Sequence, residues 1–198
     1  LTKPYKCPGN CAYCPSEPAM PKSYLSNEPA AQRAKRLKFD PVEMVWKRIE
    51  ALEGNGHQVD KIELLVLGGS FTAYTKKYQE DFITKCFWAA NVYKSDGRAK
   101  ILRKIKSLEE EQKINEKAKY KIIGITLETR PDEINEEVIR FFRYLGCTRV
   151  QLGVQHIDNK ILDLVKRGHG KEESIEATRF LKENGFKVVS NALSQSFY

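Results

Sequence analysis

Apolar and polar positions along this chain alternate between two periods. Short, mostly apolar runs at 61–67 (KIELLVL), 122–127 and 149–154 stop at glycine or polar residues, the mark of buried strands. Stretches with helical spacing lie between them. The first opens at Asp40-Pro41, with Asp40 as N-cap and Pro41 at the first helical position. It repeats Val42, Val45, Trp46, Ile49 and Leu52 and stops at Gly54-Asn55-Gly56. Further helices are predicted over 76–93 (with Phe82, Ile83, Phe87 and Val92 as the apolar face), 133–145, about 158–166, and 171–184. Gly146 and Gly185 are the expected stops, and a last strand starts at Phe186-Lys187-Val188-Val189. The segment from Cys7 to about Asn27 is rich in Pro, Gly, Ser and Lys and reads as a loop. Residues 98–119 are densely charged, which predicts a solvated helix or a mobile insertion.

Strands alternating with helices imply an α/β fold with a parallel sheet, either open or closing into a barrel. In such folds ligands meet the carboxyl ends of the strands. Gly68-Gly69, the Glu128–Arg130 run and Gln155 all fall there.

The chain has 198 residues, 41% hydrophobic and 30% charged, enough for one domain with a sizeable core. No stretch approaches the ~20 apolar residues of a membrane span. The opening LTKPYKCPGN lacks the apolar core of an export signal, so a cytoplasmic location is expected. The first residue is Leu1 rather than Met, and the sequence reads as a fragment of a longer protein. A net charge of +8 fits a polyanionic partner such as RNA, and equally fits solvated lysines on helix surfaces.

Five cysteines, three of them within eight residues, point to a clustered metal site rather than a disulfide framework. Cys7, Cys11 and Cys14 stand in C-P-G-N-C-A-Y-C-P, a C-x3-C-x2-C spacing on a loop. Thiolates suit zinc and iron–sulfur clusters alike. A structural zinc needs a fourth ligand, and His57, His156 and His169 are distant in sequence. A four-iron cluster held by three cysteines keeps one iron open to a chelating ligand. Cys86 and Cys147, in apolar surroundings, read as small buried hydrophobes. Tyr13 packs either beside the metal site or simply within its loop.

C-x3-C-x2-C with an aromatic before the last cysteine resembles the radical S-adenosylmethionine superfamily, whose fold is a partial or full (β/α) barrel. The resemblance implies a [4Fe–4S] cluster on Cys7, Cys11 and Cys14, with S-adenosylmethionine on the fourth iron. Gly68-Gly69 then matches the glycine pair that receives the methionine amino group, where a missing Cβ allows close approach. Glu128 is placed to meet the ribose hydroxyls. Gln155, in L-G-V-Q, and Arg167, in K-R-G-H, match polar positions lining that pocket in relatives of the oxygen-independent coproporphyrinogen oxidase type.

Further blocks narrow the likeness: MPKSYLSNEP, FDP, GHQVDKIELLVLGGSF, ITLETRPD, GCTRVQLGVQ and KRGHG. Together, over roughly residues 4–189, they resemble the catalytic subunit of Elongator, a tRNA uridine-34 acetyltransferase family. This implies carboxymethylation at C5 of the wobble uridine, with acetyl-CoA and S-adenosylmethionine as cofactors and tRNA as partner. Elongator-type subunits or a second copy of the chain are the protein partners it allows, with no membrane. Lys61, in V-D-K-I-E, matches a lysine that contacts acetyl-CoA in the family; read alone, it is a charged residue opening a strand. The basic residues Lys22, Arg33, Lys35, Arg36 and Lys38 are candidates for the tRNA backbone. Tyr24 and Phe39 beside them are candidates to stack on a base. The family's acetyltransferase domain has no counterpart in these residues. Relatives also run on through a Pro/Gly-rich segment where this chain reads SNALSQSFY, so the expected unit is one radical domain over 1–198.

Overall fold

Strand register explains how the pocket-forming ends come together. A computed structural model of the protein describes residues 1–93 and 103–192. Four strands, β1 (Lys61–Val66), β2 (Lys121–Thr129), β3 (Arg149–Gln155) and β4 (Lys187–Ala192), pair in parallel in chain order. Among the described residues the sheet is open, an α/β partial barrel. Alternation along β3 buries Val150, Leu152 and Val154 against the helices and turns Arg149, Gln151, Gly153 and Gln155 to the other face. Ile125 and Leu127 of β2 and Val66 of β1 join the same core.

The helices are α1 (Pro29–Arg36), α2 (Pro41–Gly54), α3 (Lys76–Val92), α4 (Leu108–Asn115), α5 (Glu136–Tyr144), α6 (Asn159–Leu164) and α7 (Lys171–Glu183). As expected, α2 starts on its Asp40 cap, whose Oδ1 accepts from the amides of Val42 (2.9 Å) and Glu43 (3.0 Å). It packs on α3 through Trp46 and Trp88, whose ring centroids lie 6.0 Å apart, and Trp46 Nε1 donates to the Ala89 carbonyl at 2.9 Å. Cys86 and Cys147 are buried, and burial pushes both thiols up to about 12.

Two features depart from the sequence reading. The short helix α1 carries only Ala31 and Ala34 as buried anchors, too few to reveal a helical period. The charged stretch at 98–119 is not simply solvated over its described part, 103–119; residues 98–102 lie outside the described residues. Its helix α4 buries Leu108, Glu111 and Asn115 beside α3. The fully buried Glu111 carboxylate accepts from Arg103 (2.5 and 2.6 Å), Asn91 (2.8 Å) and the Lys106 amide (3.0 Å). Burial pushes its pKa up, but these donors outweigh it and hold the carboxyl below its ordinary value.

Candidate cofactor site

The loop at residues 7–14 lies across the carboxyl ends of the strands. A tight turn (Cys14 amide to Cys11 carbonyl, 3.2 Å) shapes it, and the Ala12 amide ties it to the Val165 carbonyl at 2.9 Å. Cys7, Cys11 and Cys14 are half-buried free thiols lining one pocket together with Gly69, Glu128, Gln155 and Arg167. Five sequence segments thus line one pocket.

Gly68 and Gly69 follow β1 with φ of 149° and 86°. Their amides both donate to Glu128 Oε2, at 3.2 and 3.0 Å, and the Tyr24 hydroxyl donates to the same oxygen at 3.1 Å. Burial raises the Glu128 pKa, opposed by these three donors. A Cβ on Gly69 would lie 2.9 Å from the Tyr5 hydroxyl, so the backbone passes flush against that ring. Tyr5 in turn accepts from the Ser70 amide at 2.9 Å. Tyr13 is held against Cys11, and burial raises its phenol to about 12.

Gln155 ends β3 with φ of +69°, an uncommon conformation for a residue other than glycine. Arg167 reaches back to it from beyond α6: Nη2 donates to the Gly153 carbonyl at 2.5 Å and Nη1 approaches Cys11 Sγ at 3.5 Å.

Several residues at or beside the pocket are given no role by the sequence reading. Tyr5 and Ser70 border the glycine pair. Arg130 is 8% exposed and forms a two-pronged pair with Asp132 (2.9 and 2.8 Å). The Glu133 carboxylate accepts from the hydroxyls of Ser70 and Thr72, and from Thr129 at 3.1 Å, latching the turn after β1 to the turn after β2. The ETRPD block and the serine after the glycine pair mark these places, but spacing alone assigns them no partner.

The remaining candidates lie elsewhere. Lys61 is exposed at the opposite end of β1, roughly 20 Å from the glycine pair at the usual strand rise. The basic set is split. Lys22 lines the cofactor pocket. Arg33 and Arg36 border a separate, largely apolar groove of about 600 Å³ between α1, α2 and β1, while Lys35 and Lys38 are exposed. Tyr24 belongs to the Glu128 network, and Phe39 is half-buried at the α1–α2 turn.

The donor set suits a cluster. None of His57, His156 and His169 lines the cysteine pocket. Among the described residues no three His, Cys, Asp or Glu side chains close on one point, as a single ion requires. Three cysteines on three separate irons need not do so. Arg167 adds an independent sign: it is 7% exposed, its Nε has no partner, and no carboxylate among the described residues pairs with it. A buried guanidinium in that state calls for an anionic group beside it. No helix among the described residues is long and apolar enough to cross a membrane.

Known proteins are similar to this chain in sequence and fold. The chain is 46% identical over 194 residues to the tRNA uridine(34) acetyltransferase of Methanocaldococcus infernus, covering 95% of this chain and 34% of that protein. It is 34% identical over 204 residues to Elongator complex protein 3 of Homo sapiens, covering 98% and 36%. The chain therefore spans about a third of the length of these relatives. The solved structure of the archaeal Methanocaldococcus infernus Elp3 with an N-terminal deletion superposes with a TM-score of 0.74 at 45% identity, covering 81% of this chain and 35% of that one. Residues 2–194, nearly the whole chain, match the radical SAM superfamily, and with its cysteine loop and glycine pair on one parallel sheet the chain belongs to that superfamily.

Proposed function

We propose that this chain is the radical domain of an enzyme that modifies the wobble uridine of tRNA, building a carboxymethyl group at C5 with acetyl-CoA. The observation that carries the reading is the convergence of three thiols, a glycine pair and the side chains of Glu128, Gln155 and Arg167 on one pocket. The names of the relatives, tRNA uridine(34) acetyltransferase and Elongator complex protein 3, support the substrate.

In this reading Cys7, Cys11 and Cys14 would hold a [4Fe–4S] cluster, with one iron left to S-adenosylmethionine. Bound together, the reduced cluster and S-adenosylmethionine supply a 5′-deoxyadenosyl radical. The protein binds and orients. Gly68 and Gly69 give the methionine end a side-chain-free approach, and Glu128 presents a carboxylate to the ribose hydroxyls. That carboxylate is prepaired with the glycine amides and Tyr24, so cofactor binding exchanges one hydrogen-bond set for another. Gln155, at the end of β3, lines the same pocket and is the candidate there for the cofactor. Lys61 is the candidate contact for acetyl-CoA; its place at the far end of β1 separates acetyl handling from the radical pocket. Lys22, beside the thiols, is the basic candidate nearest the chemistry, while Arg33, Lys35, Arg36 and Lys38 would meet tRNA further out.

The test is anaerobic incubation of the reconstituted, reduced holoprotein with S-adenosylmethionine, with and without tRNA. Formation of 5′-deoxyadenosine, stimulated by tRNA, is expected. Cys11→Ala should lose both the iron–sulfur absorbance and the product. A four-iron cluster surviving in that variant, or colourless wild-type protein carrying one zinc, would overturn the reading.

A further inference from the structure

We propose that Arg167 sets the reduction potential of the cluster held by Cys7, Cys11 and Cys14, its fixed positive charge lying against Cys11 while Arg130 holds it in place. This rests on the cluster assignment above.

Two buried arginines flank the cysteine loop, and they differ in how their charge is met. Arg130 is offset by Asp132 through two hydrogen bonds. Its Nη2 also donates to the Arg167 carbonyl at 2.9 Å, so it fixes the backbone that carries Arg167. Gly9 makes room for this brace, since a Cβ there would lie 2.6 Å from Arg130 Nη1. Arg130 is thus a positioning residue with little net charge to offer.

Arg167 has no such offset. Its donors go to the Gly153 carbonyl and Cys11 Sγ, its Nε is buried and unpartnered, and no carboxylate pairs with it among the described residues. The turn that delivers it is unusual: Lys166 and Gly168 on either side have φ of 54° and 82°. A guanidinium keeps its proton in proteins, so this charge persists in every state of the site. Three thiolates on an iron–sulfur core give a net negative group, and one-electron reduction makes it more negative. A fixed cation at a cysteine sulfur favours the reduced form, because charge and hydrogen bonds at the sulfurs set such potentials. The electron enters from an external low-potential donor, no bond forms or breaks, and Arg167 transfers no proton.

The experiment is a redox titration of the reconstituted holoprotein with dithionite, followed by electron paramagnetic resonance, without S-adenosylmethionine or tRNA. Arg167→Gln should lower the midpoint by at least about 59 mV, a tenfold loss in the one-electron reduction equilibrium. Arg167→Lys, which keeps the charge, should recover most of that shift. A wild-type midpoint in Arg167→Gln would overturn the proposal. Should Arg167→Gln assemble no cluster, the lysine variant decides. A near wild-type midpoint there supports the charge reading, and a shifted midpoint or no cluster refutes it. Failure of the wild-type protein to assemble any [4Fe–4S] cluster would instead sink the functional reading itself.

Discussion

Replacing Gly69 by alanine tests whether the backbone at the glycine pair is shaped by contact or only by its angle. Gly69 has φ of +86°, and an added Cβ would lie 2.9 Å from the Tyr5 hydroxyl and 3.3 Å from the Lys22 carbonyl oxygen. Left-handed backbone costs a residue with a Cβ about 1–2 kcal/mol. Tyr5 must then move, and its hydroxyl is the acceptor for the Ser70 amide. Leaving that amide unsatisfied costs about 1–3 kcal/mol, for a total of roughly 2–5 kcal/mol. Gly56 is the internal control, because its φ is +81° but nothing lies within 4 Å of its Cβ position. Gly56→Ala should therefore lose the angular part alone. Urea unfolding, with midpoints compared at constant slope, measures both. Tyr5→Phe adds a coupling test. In the wild type it removes the Ser70 acceptor, whereas in Gly69→Ala that bond is already broken, so the double variant should be no worse than Gly69→Ala alone. Equal losses at Gly69 and Gly56, or fully additive effects with Tyr5→Phe, would refute the contact argument.

Glu111→Ala should destabilise the fold by about 3 kcal/mol in the same assay, because it strands Arg103 and Asn91 beside a buried site; a loss under about 1 kcal/mol would contradict the burial of that carboxylate. Burial first, and then the charges of Arg167 and Arg130, lower the pKa of His169, so the folded protein takes up a proton on this ring less readily than the unfolded chain does. The unfolded chain starts to protonate near pH 6.5, ahead of the folded one, so stability falls as pH drops below that value, by at most about 1.4 kcal/mol per pH unit. His169→Gln should flatten this limb; curves that stay parallel between the two proteins across that range would show that folding does not lower the His169 pKa.

The sequence carries the architecture because period and punctuation are local. Each predicted strand and the helices at 41–54, 76–92 and 171–183 stand within a few residues of where the pattern places them. The cysteine loop and Gly68-Gly69 were legible for the same reason, as short-range spacing joined to a strand end. What stayed hidden depends on distant partners. Arg130 acquires its role from Gly9 and Arg167, neither of which is near it in sequence. Glu111 sits in a run of acids that reads as solvated, and only the fold reveals that Arg103 and Asn91 close over it. The basic residues after the cysteines read as one patch, yet the turn at Lys38 and Phe39, with φ of 52° and 56°, sends α1 to a groove with α2 and β1 instead.

These hidden contacts have a common form that explains how an open sheet holds a polar pocket. Glu133 latches the turn after β1 to the turn after β2 through Ser70, Thr72 and Thr129. Arg130 latches the turn after β2 to the segment after α6 through the Arg167 carbonyl. The Ala12 amide then ties that segment to the cysteine loop through Val165. Each connection is held by its neighbour, from β1 through to the cysteines, in addition to the apolar anchors that Phe71, Tyr74 and Ile134 drop into the core below. Such a chain of polar latches adds to the packed core a second set of contacts that shapes the pocket at the strand ends. It also means that a perturbation at Glu133 reaches the cysteines through Arg130 and the segment carrying Val165 and Arg167, so effects within this set should be non-additive, whereas core truncations should add to them.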